Sequence, residues 1–153
     1  MSSEPEALME LQMQVRDYEC DMGFVVNNAV YLNYLEHARH ELLRTIGISF
    51  GDLARRGIFL VVTRIEADFK ASLTAGDRFI VRTNFVRKGR LRLQFIQQIT
   101  REQDDRLMLS ATVTGTALNS LGRPEFPPDL ELAFVGLRAR SEVDLPRTEV
   151  TRD

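Results

Sequence analysis

The chain has one cysteine, Cys20, so it can close no disulfide of its own. Its two histidines, His37 and His40, come without any CxxC pair, which leaves no recognisable zinc-ligand spacing. No apolar run approaches the roughly 20 residues that span a bilayer as a helix, so no membrane association is expected. The opening residues, MSSEPEALME, lack the basic start and apolar centre of a secretory signal, and the expected location is cytoplasmic. A surplus of charge is also missing, since 20 basic and 22 acidic residues leave a formal net charge of −2. Such a chain offers a polyanion no global field. Nucleic acid is therefore not an expected partner, and any anion site must be local.

What is present suits one compact domain: 153 residues, 44% of them hydrophobic and 27% charged. Residues 1–10 read as a flexible N-terminus, 11–137 as the domain, and 138–153 as a charged, aperiodic, loosely ordered tail. From Leu11 to Tyr18 apolar and polar residues alternate as in a half-buried strand. Tyr31, Tyr34, Leu35, Ala38, Leu42 and Ile46 recur at spacings of three and four, which predicts a long helix with one buried stripe. Asn28 is the expected N-cap, and Gly47 suits the left-handed position just past the end. Ser49, with Asp52 three residues on, opens a short helix closed by Gly57. Four strand patterns follow, near 59–70, 78–87, 91–97 and 107–119, joined by turns at Ala75-Gly76-Asp77, Lys88-Gly89 and Asp104-Asp105. Pro124, Pro127 and Pro128 then break regular structure. Short connections demand antiparallel pairing, and one apolar helix face must be covered by one sheet face. The expected fold class is α+β, a long helix wrapped by a curved antiparallel sheet.

Asp21, in the turn Asp21-Met22-Gly23, precedes that helix by seven positions. Asp favours turns by bonding its own backbone, and this reading needs no ligand. The competing reading sets the carboxylate and the helix N-terminus against one bound molecule. Two segments bear on the choice. The stretch DYECDMGFVVNNAVYLNYLEHAR and the later SLTAGDRFIV, at 72–81, resemble the hotdog-fold acyl thioesterases of the 4-hydroxybenzoyl-CoA thioesterase type. Within that group the chain is most similar to the acyl-lipid thioesterases of chloroplasts and related bacterial enzymes, over roughly residues 11 to 128.

The resemblance implies a hotdog domain that hydrolyses acyl-CoA or acyl-carrier-protein thioesters without a metal or redox cofactor. It also implies a homodimer or homotetramer in which each site draws on two chains. Asp21 matches the Asp of the family's D-x-x-G-x-V turn. The glycine stands here at Gly23, one residue earlier than in most relatives, and Asn28 occupies a position often held by His. Carried onto this chain, Asp21 becomes nucleophile or general base, and N–H groups near Asn28 become oxyanion donors. Asn27 and Tyr31 become candidate substrate contacts, against plainer readings as a helix cap and a core aromatic. Arg87, Lys88 and Arg90, beside Arg92 at the Gly89 turn, form the densest basic cluster. They are either a solvated hairpin or a clamp for the phosphates of coenzyme A or phosphopantetheine. His37 and Glu41 sit four apart as a metal pair might, with no third ligand in view. Cys20 has no partner histidine motif that would make it a nucleophile. Two other functions compete: a hotdog protein that binds acyl-CoA without cleaving it, and a hydratase or dehydratase on the same fold.

Overall fold

The structure, a computed structural model, describes residues 7–143, with side chains through Leu137. Five strands form one antiparallel sheet in the order β1-β3-β4-β5-β2. These are β1 (Met9–Gln14), β2 (Phe59–Phe69), β3 (Arg78–Lys88), β4 (Arg92–Arg101) and β5 (Arg106–Leu118). Among the described residues three α-helices accompany the sheet, α1 (Asn28–Thr45), α2 (Phe50–Arg55) and α3 (Pro128–Val143), with a single 3-10 turn at Asp17–Glu19. Among the described residues no helix is long and apolar enough to cross a membrane.

The buried face of α1 is Tyr31, Tyr34, Leu35, Ala38, Arg39, Leu42 and Leu43, the expected stripe with one cation added. The cap lies one residue earlier than expected. Asn27 Oδ1 accepts from the Ala29 N–H, and Asn28 is the first helical residue. In β4 the alternation sends Leu93, Phe95, Gln97 and Ile99 inward, matching the inward Phe79, Val81, Thr83 and Phe85 of β3. Two groups of buried side chains result. One lies under the first half of α1, around Leu35, Phe79, Ile99 and Leu109. The other lies under its second half, around Leu42, Phe85, Phe95 and Phe134.

Strand β2 departs from its sequence pattern. Phe59, Val62, Ile65 and Phe69 are exposed, because β2 is an edge strand paired only with β5. Its register also shifts between Val62 and Arg64, so the residues that alternate in sequence, Phe59, Val61, Thr63, Ile65, Ala67 and Phe69, do not stay on one face. Gly115 lies opposite this irregularity. A Cβ there would stand 2.9 Å from the Val61 carbonyl oxygen, closer than a side chain tolerates.

The larger correction is α3. Prolines at 124, 127 and 128 read as breakers, yet Pro128 occupies the first helical position, where a missing N–H costs nothing. Leu130, Phe134 and Leu137 bury one face of this helix against the second core group. The helix continues past the expected boundary at 137 to Val143, so the six residues 138–143 are regular rather than loosely ordered. At the other end β1 begins at Met9, inside the stretch expected to be flexible. The remainder of both expected terminal segments, 1–6 and 144–153, lies outside the described residues.

Candidate active site

The segment before α1 folds back on itself. The Asp21 N–H donates to the Val25 carbonyl at 2.9 Å, and the Asn27 N–H donates to the Glu19 carbonyl at 3.0 Å. This small hairpin sets Asp21 two residues, or about 7 Å of extended chain, from the level of the helix cap. Its tip is tight. Asp21 Oδ1 accepts from the Gly23 N–H at 2.8 Å, so the turn role weighed for this residue is realised. The Asp21 carbonyl accepts from the Phe24 N–H at 3.0 Å, and Phe24 takes a left-handed φ of 63°. Asp21, Asn27 and Asn28 are exposed, as are the large side chains of Tyr18, Met22 and Phe24 around them.

The base of the hairpin is fixed to the 71–77 loop. The Val26 N–H donates to the Leu73 carbonyl at 2.9 Å, and the Leu73 N–H donates to the Tyr31 hydroxyl at 2.8 Å. Tyr31 is buried, with its ring edge-on to Tyr34 and Phe69. Burial raises its phenol above the usual value. The plainer reading of Tyr31 as a core aromatic has this structural counterpart: the hydroxyl holds the loop that supports the turn. Asn27 serves as the cap, and Asn28 Oδ1 also lies 3.0 Å from the Ala29 N–H.

The basic hairpin divides. Arg87 is tied into the fold: Nε donates to the Gly89 carbonyl, and Nη2 donates to the Arg90 carbonyl and pairs with Glu131 of α3. Its guanidinium also stands 4.3 Å over the Phe126 ring. A side chain held this way clamps α3, while its Nη1 has no hydrogen-bond partner among the described residues. Lys88, Arg90 and Arg92 remain exposed on the turn. Phe85 and Phe95 face inward as strand alternation requires, with ring centroids 5.7 Å apart. His37 is exposed and Glu41 pairs with Arg44, so the two do not form a metal pair. Cys20 is partly buried against the first core group.

One feature escaped sequence reasoning. A cavity of about 200 Å³ lies between the second half of α1, α3 and the β2 side of the sheet. Leu43, Leu60, Phe95, Val113 and Phe134 give it apolar walls, and Glu36, Arg39 and His40 bring polar groups from α1. His40 Nε2 stands 3.7 Å from Glu36 and its ring 4.7 Å from Phe50, and burial lowers its pKa from the usual value. Arg39 is not among the residues read as the buried stripe. Its place in the series 35, 38, 39, 42 was the available signal that it faces inward.

Comparison with known proteins agrees with this architecture. The sequence profile of the thioesterase-like superfamily matches residues 15–134. A chloroplastic acyl-acyl carrier protein thioesterase of Arabidopsis thaliana is 36% identical over 127 residues, which cover 83% of this chain and 68% of that protein. An acyl-CoA thioesterase of Haemophilus influenzae is 29% identical over 124 residues, covering 78% of this chain and 89% of the relative. Among solved structures, a 1,4-dihydroxy-2-naphthoyl-CoA thioesterase from Synechocystis superposes with a TM-score of 0.79. It is 19% identical, with 84% of this chain and 96% of that one covered.

Proposed function

The chain belongs to the thioesterase-like superfamily, is a thioester hydrolase on the hotdog fold, and from that premise we propose that Asp21 is its nucleophile or general base. The substrate is an acyl-CoA or acyl-carrier-protein thioester. The observation that supports this reading is the fold-back of residues 19–27, in which the Asp21 N–H pairs with Val25 and the Asn27 N–H with Glu19, so that Asp21 belongs to the hairpin that leads directly into α1. With Oδ1 tied to the Gly23 N–H, the carboxylate keeps one oxygen to take a proton from water or to attack the carbonyl carbon. The developing oxyanion needs donors in place beforehand, and the first turn of a helix supplies N–H groups and the positive end of its dipole. The Asn28 N–H has no backbone acceptor among the described residues and is available for that purpose. Addition of water across the acyl carbon and loss of the thiol then give the free acid and the carrier's thiol.

We also take the working unit to be at least a dimer. Strand β2 presents an unpaired edge of 11 residues with four large apolar side chains exposed along it. A second copy paired there would cover both the edge and these side chains.

Asp21→Asn tests the chemistry, because it keeps the size and turn-forming oxygen while removing the charge and basicity. The kcat should fall by roughly 10²-fold or more, the scale for loss of a positioned base. Thermal unfolding should stay near wild type. A folded Asp21→Asn protein that hydrolyses acyl thioesters at the wild-type rate would refute the assignment. Single-turnover hydrolysis in ¹⁸O water separates the two roles, since only a nucleophile carries label into Asp21.

A further inference from the structure

Arg39 is a cation where the fold has little else to hold one. The residue is 8% exposed, and its Nη1 donates to Gln97 Oε1 at 3.0 Å. Gln97 is itself fully buried, and its Nε2 donates to the Leu35 carbonyl and to Thr83 Oγ1, both at 3.0 Å. Those two bonds fix the orientation of the amide, so its oxygen is the atom turned toward Arg39. A guanidinium has more donors than one amide oxygen can accept. Among the described residues no other protein acceptor and no ion-paired carboxylate meets Arg39. Burial lowers its pKa and the Glu36 charge raises it, but an arginine stays protonated in either case. A buried charge with unused donors is costly unless an acceptor meets it. Arg39 lines the cavity under α1, whose remaining walls are mostly apolar. An apolar pocket with a few placed polar groups is the usual form of a small-molecule site.

We propose that this cavity receives the acyl group of the thioester and that the Arg39 guanidinium anchors an oxygen of that group within it. The inference rests on the thioesterase reading and extends it from the reacting bond to the acyl chain. The apolar walls take methylenes. The guanidinium takes a hydroxyl, oxo or carboxylate oxygen further along the chain through charge-assisted bonds, because the thioester carbonyl belongs at the start of α1 and Arg39 stands about 16 Å along that helix. The cavity, at about 200 Å³, holds roughly seven groups of the size of water at ~30 Å³ each. An acyl group of about eight carbons is therefore the right probe.

The test compares wild type with Arg39→Met, which keeps side-chain length and removes the charge. Arg39→Met removes a buried charge but leaves Gln97 Oε1 without its donor, so the melting temperature should fall by several degrees while the protein stays folded. Binding of octanoic acid and of 8-hydroxyoctanoic acid, measured by calorimetry, reads the cavity without turnover. Hydrolysis of the two matching acyl-CoA thioesters reads it during turnover. For the hydroxylated chain Arg39→Met should weaken binding or raise KM by about tenfold or more, the scale of one charge-assisted hydrogen bond. A loss confined to the hydroxylated chain supports the anchor along the acyl group, and an equal loss on both chains would overturn it. Unchanged binding and kinetics on both would overturn the proposal. Should Arg39→Met fail to fold, Arg39→Lys keeps the buried charge, gives up the planar fork, and supports the same comparison. Wild-type protein that binds the acids and cleaves none of the thioesters would count against the thioesterase reading while leaving the cavity assignment standing.

Discussion

Phe24 carries a left-handed backbone, φ 63°, on a bulky side chain that is 83% exposed. That combination costs about 1–2 kcal/mol, because Cβ crowds the neighbouring carbonyl and little burial is gained in return. The strain sits three residues from Asp21, in the turn whose geometry sets the carboxylate. Phe24→Gly relieves it, so the denaturant midpoint should rise by the equivalent of about 1 kcal/mol, and unfolding curves will show it. A midpoint that falls would mean that the exposed ring has a partner in the assembled protein. Residue identity explains two other sites as well. The carboxylate at Asp21 could be singled out from sequence because its motif and the helix start are local in the chain. Arg39 could not, because charge is normally assigned to the wet face, and the partner that admits it inward, Gln97, lies 58 residues away.

At the scale of elements, α3 is held by two polar links besides its apolar face. Arg56 of the α2 end binds Asp129 with both guanidinium nitrogens at 2.8 Å, and Arg87 of β3 pairs with Glu131 at 2.9 Å. The Arg56 guanidinium holds the Asp129 carboxyl below its usual range, and Asp129 raises Arg56 in turn. The first pair is exposed and screened, whereas the Arg87 side chain is mostly covered and also faces Phe126. Arg87→Ala should therefore destabilise the fold by about 2 kcal/mol through lost packing and charge-assisted bonds. Lys88→Ala with Arg90→Ala should leave stability alone. If these two meet the carrier's phosphates, KM for acyl-CoA should rise with kcat nearly unchanged, and a short acyl-pantetheine without the nucleotide should not respond. Equal losses on both substrates would exclude the phosphate role. The helix periods of α1 and α2 and the alternation of β3 to β5 were legible because each is set by local contacts with one covering face. The helix α3 was not, since proline density outweighed the apolar spacing of Leu130, Phe134 and Leu137. With α3 missed, the fate of Arg87 could not be read either.

For the molecule as a whole, the open side is β2. Arg64 and Glu66 pair with each other along it and place charge on the edge, a common device against indiscriminate pairing. The exposed Phe59, Val62, Ile65 and Phe69 leave apolar surface beside that charge. Sedimentation at micromolar concentration should give at least twice the 17.5 kDa chain mass. Ile65→Lys should shift the population toward monomer, because a stable dimer must bury on the order of 1,200 Å² or more and tolerates an unpaired central charge poorly. A monomer alone in the wild type would remove the basis for a two-chain site.

The bond between the Tyr31 hydroxyl and the Leu73 amide gives this protein a local clock. That amide is protected by a side chain from the first turn of α1, and not by a neighbouring strand. Its exchange with solvent deuterium therefore depends on α1 lifting from the 71–77 loop, independently of whether the sheet opens. Leu73 also receives the Val26 N–H on its carbonyl, so the same lifting frees the base of the Asp21 hairpin. The exchange rate at one position thus reports how often the Asp21 turn loses its support, in the resting protein and with an acyl ligand bound.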